Sequence, residues 1–172
     1  NLLQEKIKLC ELEIKTFFED KIKSDLKTSD KIYKKANKNA PKSIDLNQVA
    51  YKYFNGVDLM EIEGISHSTI LTLMSEVGPG GLKKFATGKH FASWLRLAPN
   101  NKISGGKILS SRIPKGSNRL KTALRQAANC IGNMKNANLH NFFIRICIRK
   151  GRTAAITATA RKLAIIIWNM VV

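Results

Sequence analysis

The segment Lys102-Ile-Ser-Gly-Gly-Lys107 combines residue types suited to chemistry on a phosphate. Ser104 offers a hydroxyl beside two small residues, so it has little steric cover. Gly105 and Gly106 let a phosphate come close to the backbone amides. Lys107, Arg112, Lys115 and Arg119 follow at short intervals. Cations so placed stabilise charge on a phosphoryl group in transit. Ser-Gly-Gly also makes an ordinary loop turn, and this segment alone fits that simpler reading.

A second constellation is Leu59-Met-Glu-Ile-Glu-Gly-Ile-Ser-His-Ser-Thr69. It resembles a helix-hairpin-helix, in which hairpin amides and the next helix N-terminus hold a nucleic-acid phosphate. Ser66 stands where such hairpins usually have a second glycine, and an ordinary helical hairpin fits equally well. His67, His90 and His140 are scattered, and no Asp or Glu after Glu76 is in sequence reach to orient them. They read as surface or satisfied structural residues. Glu61, Glu63 and Glu76 read as helix-surface charge rather than a metal site. Trp94 and Trp168, at apolar helical spacing, read as core rather than base-stacking platforms.

Charge narrows the partner. Lys and Arg number 30 against 12 Asp and Glu, a formal net charge of +18. Residues 1–58 hold twelve lysines and nine acids, whereas residues 59–172 hold eighteen Lys or Arg against only Glu61, Glu63 and Glu76. A surface of one sign repels itself and favours a polyanion. Each neutralised phosphate releases counterions, so binding is expected to be salt-sensitive. Solubility alone is usually served by interspersed signs. No Lys-rich amphipathic helix with an aromatic face points to a membrane surface, and the apolar run Leu163–Trp168 is too short to span one. Cys10, Cys130 and Cys147 form no close pair, which suits a reducing compartment and neither a disulfide framework nor a zinc cluster.

These residues need elements to hold them. Leu3, Ile7, Cys10, Ile14 and Phe17 alternate steps of four and three, with Leu2, Leu9, Phe18, Ile22 and Leu26 widening the stripe. That predicts a helix of roughly 25 residues, either a coiled-coil arm or a helix packed on its own domain. Residues 28–56 read as a basic linker, of which 28–48 is a mobile link or a loop with a helical turn, and Tyr51–Phe54 is an aromatic patch docked on the next domain. Further helices are predicted over Phe85–Leu97, with Phe91, Trp94 and Leu95 inward, and over Arg119–Met134, Leu139–Arg149 and Thr153–Val172. Pro99–Pro114 is a loop or short hairpin. The fold class is mainly α: a long N-terminal helix, then a compact helical domain with a helix-hairpin-helix-like element and a Gly/Ser-rich loop or short β-hairpin. The domains are an arm at 1–27, a linker at 28–56 and a domain at 57–172. The chain opens mid-pattern and without Met, as part of a longer protein would.

The stretch from Val57 to Trp168 then resembles a known family. The matching pieces run in order: Ile62-Glu-Gly-Ile65, Ser75-Glu-Val-Gly78, Phe85-Ala-Thr-Gly-Lys-His-Phe-Ala-Ser-Trp-Leu95, Leu97-Ala-Pro-Asn-Asn-Lys-Ile-Ser-Gly-Gly-Lys107, Asn118-Arg119, Ala123-Leu-Arg-Gln-Ala-Ala128 and Ala154-Ala-Ile-Thr-Ala-Thr-Ala-Arg-Lys-Leu-Ala164. They resemble the C-terminal transposase domain of bridge-RNA-guided insertion-sequence transposases (insertion sequence family 110, grouped with 116 and 902). The resemblance implies a DNA transposase in which Ser104 is the nucleophile for strand cleavage and rejoining. Gly105, Gly106, Lys107, Arg112, Lys115, Asn118, Arg119 and Arg125 are the expected nucleic-acid contacts. It also implies DNA and guide RNA as partners and no cofactor in these residues. Magnesium is expected on the acidic residues of a separate RuvC-like N-terminal domain. A homodimer or higher oligomer is expected through residues 1–26, with no membrane, in a prokaryotic, nucleoid-associated cytoplasmic setting. Arg96 departs from the family, which usually has glycine there, and a bulky side chain is expected to disturb the turn before Pro99. The alternative is a helical nucleic-acid-binding module in which Ser104 only shapes a turn.

Overall fold

The computed structural model describes residues 1–21, 41–78 and 80–172. Among them the chain is mainly helical: α1 (Leu2–Lys21), α2 (Leu46–Tyr53), α3 (His67–Val77), α4 (Gly88–Trp94), α5 (Arg119–Asn133), α6 (His140–Lys150) and α7 (Arg152–Val171). A two-stranded antiparallel hairpin, β1 (Lys102–Ser104) and β2 (Lys107–Ser110), interrupts them. The Ile22 and Leu26 part of the predicted arm, residues 28–40 of the predicted linker, and Pro79 lie outside the described residues.

Helix starts follow local chemistry. Asp45 accepts from the amides of Asn47 and Gln48, Ser66 from Thr69, Thr87 from His90, and Asn118 from Lys121. Each such cap satisfies an orphan N–H of the first turn and contributes about 1 kcal/mol. The Thr87 cap explains why α4 begins at Gly88 and not at Phe85.

The core forms around α7, which packs on α4, α5 and α6, while α3 packs on α5. The buried face of α7 is Ala155, Thr159, Ala160, Leu163, Ala164 and Ile167, mostly small residues that let three helices approach. Close packing also uses glycine. A Cβ on Gly88 would meet Ile165 at 3.3 Å, and one on Gly132 would meet the Phe143 ring at 2.5 Å. Trp168 donates to the carbonyls of Leu82 and Phe85, at 3.2 and 3.1 Å, fixing the 3-10 turn Gly81–Lys84 to α7. By length and composition alone α7 is long and apolar enough to cross a bilayer, as a core helix can also be. Here it is the helix on which α4, α5 and α6 converge.

Three readings need correction. Residues 46–53 of the expected linker form a full helix rather than a single turn; Leu46, Val49 and Ala50 are buried with Ile44, and Phe54 docks on the domain as expected of the aromatic patch. Their i, i+3, i+4 spacing is obscured by the lysines and asparagines around it. Trp94 is 41% exposed and packs against Phe85 and Phe91 at the edge of the core, while Phe91 and Leu95 are fully buried. The turn before Pro99 forms with Arg96 in it. Arg96 takes φ +55°, and Leu97 N–H reaches back to Ala92 at 3.0 Å, closing α4. The left-handed backbone costs a non-glycine residue roughly 1–2 kcal/mol, against which the Arg96 guanidinium donates to the Lys115 carbonyl.

Helix α1 meets the rest of the chain near its C-terminal end. Phe18 is buried and makes an edge contact with Tyr53. The Glu11 carboxylate accepts from the amides of Lys42 and Ser43. Leu2, Leu3, Ile7, Leu9, Ile14 and Phe17 stay exposed.

Candidate nucleic-acid interface

Ser104 ends β1 and pairs with Lys107 across a two-residue turn made by Gly105 and Gly106. Both glycines have positive φ, +54° and +76°, the conformation of a type I′ hairpin turn. An added Cβ would meet nothing within 4 Å at either position. Glycine is therefore needed here for backbone conformation, and the space around the tip stays open. Residues 101–109 are all exposed. Asn100 N–H to the Arg112 carbonyl, 3.0 Å, closes the base of the hairpin. Among the described residues no side chain accepts a hydrogen bond from Ser104 Oγ, so no general base stands beside it.

Below the hairpin, the loop to α5 is held by cations. Arg96 reaches the Lys115 carbonyl, and Lys121 Nζ donates to the Gly116 carbonyl at 2.8 Å. Gly116 has φ +103°, and a Cβ there would overlap the Arg96 guanidinium. Lys121 is buried, and its ammonium pKa is pushed down by burial first, then by Arg125 and Arg96. Arg125 itself donates to Thr157 at 3.0 Å. Three cations thus meet without a carboxylate. Sequence reasoning missed Lys121. The signal was present in the like-charged i, i+4 pair Lys121 and Arg125, which no acid offsets.

The first turns of α3 and α5 face each other across a polar groove of about 490 Å³. It is lined by Ser68 and Thr72 from α3, and by Ser117, Asn118, Arg119, Thr122, Ala123 and Gln126. The helix-hairpin-helix-like segment and Asn118-Arg119, distant in sequence, therefore share one surface. Gly64 makes this possible: at φ +80°, its missing Cβ leaves room for the Ala127 carbonyl, which would lie 2.8 Å away. The first helix of the segment is only the 3-10 turn Leu59–Glu61. Asn118 spends its side chain on the α5 cap, and Glu63 accepts from the Asn138 amide, so Glu63 anchors the hairpin rather than lying free on a helix surface. His67 bonds Asn47 at 2.9 Å and His140 approaches the Ile131 carbonyl at 3.3 Å, both structural roles.

A larger apolar cleft of about 790 Å³ lies between α1 and the core, lined by Ile14, Phe17, Phe18, Tyr53 and Met74 among others. No hairpin residue lines it. Among the described residues no group of three or more His, Cys, Asp or Glu could hold a metal ion. With no acid after Glu76, the residues around Ser104 do not fit a divalent cation.

Fold and site together define a mainly helical domain that carries an exposed serine on a basic, carboxylate-free hairpin. Residues 58–143 match the transposase IS116/IS110/IS902 family. The probable family 20 transposase of Pseudomonas aeruginosa is 28% identical over 117 residues, covering 65% of this chain and 34% of that protein. The chain belongs to the IS116/IS110/IS902 transposase family. It spans about a third of the length of that curated relative.

Proposed function

We propose that this chain is the C-terminal, DNA-handling part of an RNA-guided transposase, with Ser104 as the nucleophile. The observation that carries the reading is the position of Ser104, exposed at a Gly-Gly hairpin tip inside the family-matching segment. In the reaction, Ser104 Oγ bonds to a DNA phosphorus and the P–O3′ bond breaks. The serine proton passes to a base and the departing 3′ oxygen takes up a proton. Rejoining reverses the step on a new 3′ hydroxyl. A serine hydroxyl is a weak nucleophile at neutral pH, and the described residues offer it no base. Lys107 and Arg112 contribute charge to the phosphoryl oxygens. Lys115 and Arg119, with the α3–α5 groove, hold the backbone, and Asn118 and Arg125 serve by shaping that surface. The base, and the carboxylates for magnesium, come from residues outside this segment. The exposed stripe of α1 is the surface through which copies pair. Guide RNA shares the basic face, and the setting is the prokaryotic nucleoid.

The test is Ser104→Ala in the full-length protein with its guide RNA and DNA. The covalent protein–DNA adduct disappears on a denaturing gel while DNA binding stays. An unchanged adduct refutes the nucleophile. The missing base beside Ser104 favours a second reading, a binding module without chemistry, and retained recombination by Ser104→Ala would establish it. The 172-residue chain alone is expected to bind DNA and to cleave none.

A further inference from the structure

The hairpin is built unlike the rest of the domain. Outside α1 most large aliphatic side chains go to the core, whereas the short hairpin holds three close together in solvent: Ile103, Ile108 and Leu109 are 63%, 62% and 70% exposed. Ile103 and Ile108 face each other across the strands and therefore share one face, while Ser104 and Lys107 pair on the other. Lys102 pairs with Ser110, so Leu109 is the extra residue of a β-bulge. Bulges re-aim side chains and raise local twist. Three exposed aliphatics on a two-stranded ribbon are an aggregation hazard unless something covers them.

The charge around them selects the cover. Lys102, Lys107, Arg112 and Lys115 flank the apolar residues, and no Asp or Glu follows Glu76. An apolar ribbon face flanked by cations complements a polyanion that has an apolar interior, which is a duplex nucleic acid. A two-stranded ribbon fits a groove of such a duplex, and aliphatic wedges unstack base steps and kink the helix.

We infer that the hairpin Lys102–Ser110 is a wedge, which inserts Ile108 and Leu109 between base pairs while Ser104 on the same hairpin meets the adjacent backbone. This rests on the reading of Ser104 as nucleophile and adds how the scissile phosphate is presented. Unstacking opens the backbone at one step, and the turn brings the hydroxyl to it. The cations hold the phosphates on either side.

The test uses the 172-residue chain and a mixed-sequence duplex carrying 2-aminopurine at its thymine–adenine steps. Saturating the duplex with the unsubstituted chain raises the emission by about twofold or more as bases unstack. The double variant Ile108→Ser with Leu109→Ser binds within about threefold of the same affinity, because apolar burial and the cost of unstacking offset each other. Its emission does not rise. Both positions are exposed, so the helical circular dichroism is unchanged. An emission rise that survives the double substitution, or no rise with the original chain at saturation, overturns the wedge. The Ser104→Ala-sensitive adduct of the full-length protein is a separate readout, so the wedge can fail while the nucleophile stands; failure of the 172-residue chain to bind duplex overturns the wedge and leaves the adduct to decide the nucleophile. If the substitutions instead abolish self-association, or binding to anionic phospholipid vesicles, and leave the duplex signal unchanged, the hairpin serves a second copy or a lipid surface and the wedge is refuted.

Discussion

Helices α1 and α7 are the same length, 20 residues each, and both carry many apolar side chains. Their fates differ. α7 buries a face of alanine, threonine, leucine and isoleucine against three other helices. α1 leaves Leu2, Leu3, Ile7, Leu9 and Ile14 in solvent, and of its side chains Phe18 is the buried apolar one. The difference lies in side-chain size and in the many more charged residues on α1. Small residues on α7 let backbones approach and fill space from several directions. Large residues in a narrow stripe on α1, set among Glu5, Glu11, Glu13, Glu19 and Asp20, suit a single partner helix instead. One helix is finished within its own domain, and the other keeps most of its apolar stripe in solvent, the surface proposed for pairing.

The largest expected effect that separates them is on α7. Leu163→Ala removes a fully buried side chain from the helix on which the core converges. It is expected to cost about 2–5 kcal/mol in urea unfolding, a large part of a small domain's stability. The matching change on α1 is Leu3→Asp with Ile7→Asp. Both positions are exposed, so the urea midpoint should shift by no more than about 0.5 kcal/mol in stability. Light scattering should nevertheless show loss of the self-association proposed for α1. A midpoint lowered as far as by Leu163→Ala would mean that α1 is core after all, and the comparison would collapse.

The smallest effect sharpens a polar tie of α1, which acts beside the Phe18–Tyr53 contact. The Glu11 carboxylate is held below its ordinary pKa, first by the Ser43 amide and then by further bonds to Ser43 and Lys42. A depressed carboxylate contributes stability above its unfolded value of 4.5, and that contribution is lost as pH falls through the lower folded value. Amide exchange in the second half of α1 should therefore speed up below that range, and Glu11→Gln should show the faster exchange already at neutral pH. Equal protection for Glu11→Gln and the parent chain at both pH values would remove Glu11 as the tether.

Local patterns were readable where local chemistry decides. The helical spacing along α5, α6 and α7 carries its meaning within a few residues, whereas the Thr87 cap, which starts α4 at Gly88 rather than Phe85, was not read. The hairpin around Ser104 was left open between loop and strand pair, because Gly-Gly permits either and only cross-strand pairing selects one. Helix α2 was misread because its three core residues sit in a lysine- and asparagine-rich stretch, and burial of a short helix depends on a docking surface far away in sequence. The meeting of Ser68 and Thr72 with Asn118 and Arg119 had no local signal at all. It depends on Gly64 letting the hairpin lie against the α5 backbone.

By itself the sequence determined the helical class, the acid-free basic half and the placing of Ser104 beside two glycines, since these follow from residue type and spacing. Only the tertiary structure decided that Ser104 stands on an exposed hairpin, that Lys121 is buried among cations, and that Arg96 holds a left-handed turn by reaching the next loop. The hairpin is selected by pairing within nine residues, whereas the Lys121 and Arg96 outcomes depend on contacts between separate segments, where packing and burial outweigh the preference of any one stretch of chain.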